Sequence, residues 1–209
     1  MKSITICGEG YASLALSLGG ILASLGEKVM ISDAASDSPI DFVLRIPKEI
    51  DVKSDIYQVY GCDYTQMDVP ASGHDVVINL TGTRGCEGPS DILIAVFKET
   101  GECYAKMQNV SFPECGASFL LIEDSLGLMS REYRAFAKQK GIKDIETLKI
   151  NKKDVAARLR LELNGELSIR KASGGQQKLL YGLVKRVLPE TEEKAFEKAV
   201  KKCEKGGHK

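Results

Sequence analysis

The sequence predicts a single-domain α/β fold: three layers, doubly wound around a mostly parallel sheet. Three observations predict it. Ser3–Cys7 is a short β-branched run (Ile4, Thr5, Ile6) that ends in the glycine turn Gly8-Glu9-Gly10. Ala12–Leu25 is then apolar nearly all round, stops at Gly26, and gives way to a second buried strand, Val29–Ser32, with Asp33 at its carboxyl end. Further apolar runs, Asp75–Leu80, Asp91–Val96 and Ala117–Ile122, recur with helical segments between some of them, an alternation that suits a parallel sheet. The 209 residues suit one domain and a sizeable core.

Each element has a local reason. Gly8 and Gly10 let the chain turn sharply and approach a ligand closely. The helix that follows carries Leu14, Leu16, Leu18, Ile21, Leu22 and Leu25, with small residues between, so it is expected to be buried against the sheet. Its first-turn N–H groups and its dipole favour an anion at the turn. Gly26 suits the helix C-cap. Ala34–Pro39 reads as a polar turn, Phe42-Val43-Leu44 as a short strand stopped before Pro47, and Ile56–Tyr60 as an edge strand. Val69–Gly73 reads as a loop, and Thr81–Gly85 as a glycine-rich loop at the carboxyl end of the sheet. Lys98–Val110 reads as a helix broken near Gly101. Ser130 is the expected N-cap of a helix closed by Gly141, and Ile145–Ile150 is the expected last strand.

Asp154–Leu163 is expected to bury Val155, Leu159 and Leu163 and to turn Arg158 and Arg160 outward. Asn164-Gly165 reads as a turn, and Ser173–Leu188 as a closing helix with Leu179, Leu180, Leu183, Val184 and Val187 on one side. Pro189 separates this 1–188 domain from a basic tail, 189–209, where Phe196, Ala199, Val200 and Cys203 share one helical side among five lysines.

Composition excludes several function classes. There are 29 basic and 29 acidic residues, no Trp, and aromatics are 6%, so base-stacking platforms and sequence-specific nucleic-acid binding are not expected. No apolar run reaches transmembrane length, and the start of the chain lacks a signal-peptide pattern, so a cytoplasmic protein is expected. The six cysteines form no CxxC or zinc spacing, and no metal ligands are assigned. Charge is uneven: residues 1–150 hold 14 basic and 21 acidic residues, residues 151–209 hold 15 and 8. That asymmetry suits either an acidic partner for the C-terminal part or ordinary solvated helix faces.

Two ligand classes use a glycine turn before a buried helix. Gly8-x-Gly10-x-x-Ser13, with Asp33 as the ribose acid, is an incomplete dinucleotide fingerprint for NAD(P) that lacks its third glycine. A working P-loop needs a Lys and a Ser/Thr directly after its last glycine, and those places hold Tyr11 and Ala12. The same glycines also suit close strand–helix packing with no ligand.

The stretch GYASLALSLGGILASLGEKVMISDA resembles the start of the MinD/ParA family of deviant P-loop ATPases, whose pattern is G-K-T-T, then N-L-A, then L-A-x-x-G-x-K-V-L-L-I-D-x-D. Aligned without a gap, Gly10 falls on the last P-loop glycine, Tyr11 on its Lys, Ala12 on the Mg²⁺-binding Thr, Ser13 on the second Thr and Ser17 on the Asn. Gly26 and Lys28-Val29 fall on themselves, Asp33 on the first acid of D-x-D, and Ala35 on the second. Asn79 falls where the family carries the acid that senses the Mg²⁺-bound γ-phosphate, and Glu123-Asp124 where relatives often place an adenine-contacting Asn. The 15 residues from Ala12 through Gly26 also follow this family better than the shorter dinucleotide helix.

The resemblance implies a P-loop NTPase-like fold over residues 1–188, with the site residues Gly8, Glu9, Gly10, Tyr11, Ala12, Ser13, Asp33 and Asn79 and no catalytic set. It implies a pseudo-ATPase similar to the degenerate TadZ/CpaE branch, which positions pilus machinery. Such a protein would be a homodimer with protein partners, pilus or secretion machinery among them. ATP is the cofactor this reading allows, bound weakly or not at all. A protein that binds ATP weakly without hydrolysing it is one alternative; an NAD(P)-dependent oxidoreductase is another, though no His or Lys pair offers itself as its catalytic group. Membrane contact through the basic tail is a lesser expectation, because the tail's apolar face is small.

Overall fold

A computed structural model describes residues 1–33, 39–44, 56–66, 72–82, 89–112 and 115–206. Most of the expected Ala34–Pro39 turn, Pro47, most of the Val69–Gly73 loop, and residues 83–85 of the expected Thr81–Gly85 loop, Arg84 among them, lie outside them, whereas Thr81 and Gly82 end a strand rather than open that loop. The chain runs β1 (Lys2–Gly8), α1 (Tyr11–Leu25), β2 (Val29–Asp33), α2 (Pro39–Leu44), β3 (Tyr57–Val59), β4 (Cys62–Thr65), β5 (Val76–Gly82) and β6 (Ser90–Lys98). It continues through α3 (Gly101–Gln108), β7 (Cys115–Ser125), α4 (Ser130–Gln139), β8 (Asp144–Lys149), α5 (Lys152–Asn164), a 3₁₀ turn (Ile169–Lys171), α6 (Gly174–Val187) and α7 (Glu193–Lys205).

The strands form one eight-stranded sheet in the order β3-β4-β2-β5-β1-β6-β7-β8. Every pairing is parallel except the β3–β4 hairpin at one edge. Alternation along the strands sorts the core into two bodies. Ile4, Ile6, Ile78, Leu80, Ile94 and Phe119 face one side, where they meet α1, α6 and α7. Cys7, Leu93, Ala95, Phe97, Leu120 and Ile122 face the other, where they meet Cys103 and Met107 of α3 and Tyr133 and Phe136 of α4. That is the expected three-layer, doubly wound sheet.

The all-round apolar character of α1 is explained by α7. The tail helix lays Phe196, Ala199, Val200 and Cys203, each 6% exposed or less, into the same core cluster as α1. At the crossing, a methyl group on Gly20 would stand 2.4 Å from Cys203 Sγ, so only a hydrogen on Gly20 admits the sulfur.

Four further local expectations change. Phe42-Val43-Leu44 ends a helix rather than forming a strand: Pro39 opens α2 at the position where its missing N–H costs nothing, and Val43 and Leu44 are buried. Gly101 starts α3 rather than breaking it, because β6 runs on through Lys98 and Thr100 caps the helix by accepting from Cys103 N at 3.1 Å. Ser130 is the first residue of α4, whose N-cap is Met129 with no side-chain cap bond. In α5, Leu161 is buried at 2% exposed, whereas Leu159 and Leu163 are 46% and 58% exposed and Arg158 turns inward. The β3–β4 hairpin pairs the expected edge strand with Cys62–Thr65, a strand that the sequence pattern does not mark. Its two-residue turn, Tyr60-Gly61, has positive φ at both positions, and Tyr60 is held there by its hydroxyl, which donates to Gly165 O at 2.5 Å.

Candidate functional site

The strand order reverses around β1, which lies between β5 and β6, so the crevice of a doubly wound sheet falls at the carboxyl end of β1 and the start of α1. Only Glu9 and Gly10 join the two elements. Gly8 has φ +110°, and a Cβ there would stand 1.9 Å from the Val96 carbonyl oxygen. Glu9 N donates to that same oxygen at 2.9 Å. The turn is therefore stitched onto β6, and an N–H that a P-loop would turn toward phosphate is already engaged.

Gly10 is the N-cap of α1, with φ +76°. Around it the protein places its own charges. A Cβ on Gly10 would lie 3.3 Å from Glu123 Oε2 and 3.5 Å from Lys98 Cε. Glu123 ends the buried part of β7 and is 8% exposed; Arg158 of α5 approaches its Oε2 to 4.0 Å. Glu9 pairs with Lys106 Nζ at 2.8 Å, and that hydrogen bond, working against burial, holds the Glu9 carboxyl below its usual range. Lys106 also meets Glu102 at 2.9 Å across one helical turn.

Tyr11 and Ala12, 3% and 7% exposed, belong to the larger core cluster. Ser13 instead lines a cavity of about 50 Å³, shared with Ser17, Glu123, Asp154, Arg158 and Gln176. Leu161 of α5, which is buried, also lines it. Pockets that hold small-molecule ligands run to roughly 300–1,000 Å³. That cavity is too small for a nucleotide, and among the described residues the Glu123 carboxylate and Lys98 stand beside the α1 N-cap, where a phosphate would sit.

The other two expected site residues stand apart from this group. Asp33 ends β2 but is only 1% exposed, with Tyr64 Oη 3.4 Å from its Oδ2. Asn79 lies in the body of β5, opposite Thr5, and its amide donates to Ser3 Oγ at 3.3 Å, toward the start of β1. So Gly8, Glu9, Gly10 and Ser13 come together, Tyr11 and Ala12 pack inward beside them, and Asp33 and Asn79 do not join. Sequence reading missed Lys98 and Arg158. Lys98 closes an otherwise apolar strand, a usable signal; Arg158 offers none, since an arginine on a charged helix reads as solvated.

Among the described residues no group of His, Cys, Asp or Glu has metal-binding geometry, and no helix is long and apolar enough to cross a membrane.

No protein-family model matches the sequence, and no curated protein matches it. Solved structures do. The chain is similar to MinD in the MinC:MinD cell division protein complex of Aquifex aeolicus, with TM-score 0.61 and 12% identity over 92% of this chain and 98% of that one. A protein assigned to plasmid partition, from Borrelia burgdorferi B31 and bound to AMPPNP, gives TM-score 0.57 and 14% identity over 91% and 99%. Apo McdA from Cyanthece gives TM-score 0.53 and 13% identity over 97% and 99%. At such identities the likeness is one of fold.

Proposed function

We propose that this chain is a MinD/ParA-like positioning or scaffold protein that keeps the architecture of a P-loop ATPase without turning over nucleotide. The observation that carries the reading is the α1 N-cap. A two-residue turn is bonded to β6, and the Glu123 carboxylate stands beside Gly10. Phosphoryl transfer relies on positioning and on positive charge around the phosphates. Here Tyr11 and Ala12 replace the loop Lys and the metal-binding hydroxyl and are buried, and the charges beside the turn are the Glu123 carboxylate together with Lys98. A pseudo-ATPase of this kind acts through protein partners, as a homodimer, and belongs with the degenerate TadZ/CpaE-like branch that serves pilus or secretion machinery. The Aquifex MinD found in complex with MinC supports a partner-binding role for this architecture.

The test is a titration of the purified protein with ATP, with and without Mg²⁺, by calorimetry and by a phosphate-release assay. Neither heat nor turnover is expected. Turnover that disappears in Ser13→Ala overturns the reading. The NAD(P) alternative is less favoured, because the expected ribose acid, Asp33, is buried against Tyr64; nicotinamide fluorescence on titration checks it directly.

A further inference from the structure

The outward face of α5 combines cations with exposed leucines. Lys153, Ala156 and Arg160, with Lys152, line a groove of about 580 Å³ that runs between α5, the 3₁₀ turn and the start of α6. Lys171 and Arg170 close its far wall, and no acidic residue lines it. Arg170 is bound to Glu204, but Lys152, Lys153, Arg160 and Lys171 make no ion pair with any described residue. Two helix N-termini add to the positive field: Lys152 and Lys153 open α5, and Gly174 opens α6 and lines the groove. Along the same helix, Leu159 and Leu163 are 46% and 58% exposed. With Lys152 and Ala156 they follow the i, i+4, i+7, i+11 spacing of one face.

We infer that this face of α5 docks an acidic, leucine-bearing peptide segment of a partner protein. Its carboxylates would meet Lys152, Lys153, Arg160 and Lys171, and its apolar side chains would cover Leu159 and Leu163. Four features favour a peptide over nucleic acid. No aromatic side chain lines the groove to stack a base. The cationic part of α5, residues 152 to 160, spans only about 12 Å, enough for a few extended residues but short for a phosphate track. Glu166 and Glu204 stand beside Arg170 and Lys171 at the next surface hollow, where a longer polyanion would be repelled. The exposed leucines have no role in phosphate binding, whereas apolar cores rimmed by charge are usual in protein contacts. This gives a partner class to the scaffold reading and rests on it only in supposing that a partner exists. The nucleotide titration tests that reading separately, so either can fail alone.

The experiment is fluorescence anisotropy of the full chain with a short fluorescein-labelled peptide of alternating Glu and Leu. Binding weakens as salt rises. Lys152→Glu/Lys153→Glu/Arg160→Glu weakens it by roughly tenfold or more, a few weak surface pairs taken together. Leu159→Ser/Leu163→Ser, which leaves every charge in place, weakens it several-fold. Circular dichroism checks that both variants fold; Lys152, Lys153, Leu159 and Leu163 are exposed and Arg160 is half-buried. The inference is overturned if a Gln/Leu peptide binds as well, or if neither variant changes the affinity. It is equally overturned if duplex DNA or phosphatidylserine vesicles bind through the same residues at least as tightly as the peptide.

Discussion

Glu123 Oε2 and Arg158 Nη1 lie 4.0 Å apart beside the N-cap of α1, where β7 and α5 meet over the carboxyl end of the sheet. A helix N-terminus facing a crevice attracts an anion. In this protein the chain supplies an anion beside that terminus, and α5 supplies a counter-charge for it while it is nearly buried. Replacing Glu123 by Ala leaves Arg158 without that carboxylate and α1 without its acid. A loss of about 1–3 kcal/mol is expected in urea unfolding. Sulfate should then stabilise the variant more than the parent, by taking the vacated place. Equal sulfate effects on both proteins would contradict this.

The closeness of β1 to β6 predicts a large effect at Gly8. Any side chain there must adopt φ +110° and also push the Val96 carbonyl away from 1.9 Å. Both are costly, so Gly8→Ala is expected to lose more than about 3 kcal/mol or fail to fold. Near-parental chemical stability of Gly8→Ala would show that the turn is not held against β6 as described.

The crossing of α1 and α7 predicts an energetic coupling. Gly20→Ala places a methyl group 2.4 Å from Cys203 Sγ and 3.2 Å from Tyr60 Cβ, an overpacking that costs about 1–3 kcal/mol. Cys203→Ala makes room, so the double variant should be more stable than the sum of the two single losses predicts. Strict additivity would mean that α7 does not pack there. Burial also pushes the Cys203 thiol up to about 12, so the docked helix should resist alkylation until it detaches.

Glu99 predicts a pH effect on the loop after β7. Burial would raise its carboxyl pKa, but the N–H groups of Met129 (2.6 Å), Leu126 and Gly127 (2.9 Å) and the Ser125 hydroxyl (3.2 Å) outweigh it, and the group lies below its usual range. A depressed acid contributes stability that is fully present above its unfolded pKa and is lost as pH falls through the folded one. The amides of Leu126, Gly127 and Met129 should therefore lose exchange protection as the solution is acidified below the normal glutamate range. Glu99→Gln should lose that protection at neutral pH and show no further change on acidification. A pH response retained in Glu99→Gln would place the titrating group elsewhere.

Much of the fold was legible because its signals are local. β-branched runs mark the central strands, and the apolar surface of α1 marks a helix buried against the sheet, although only the structure shows that α7 covers it as well. What failed needed distant partners. On α5 the expected stripe, Val155, Leu159 and Leu163, is the more apolar one. The helix instead turns Ala157, Arg158 and Leu161 inward, because Glu123 on another strand accommodates the arginine. The β3–β4 hairpin was hidden by the polar Cys62-Asp63-Tyr64-Thr65 run, whose Tyr64 and Thr65 are nevertheless fully buried. At the site, the glycine turn and Tyr11 were readable from spacing alone. The carboxylate that stands beside Gly10 was visible only as an acidic strand end.

The most direct measurement is phosphate release by the purified full chain in Mg²⁺ and ATP, run beside its Ser13→Ala variant. With a carboxylate of its own beside the α1 N-cap, the protein should release no phosphate above buffer, and the variant should be indistinguishable from it. Sustained release that Ser13→Ala abolishes would show that the crevice opens to nucleotide and works as an enzyme.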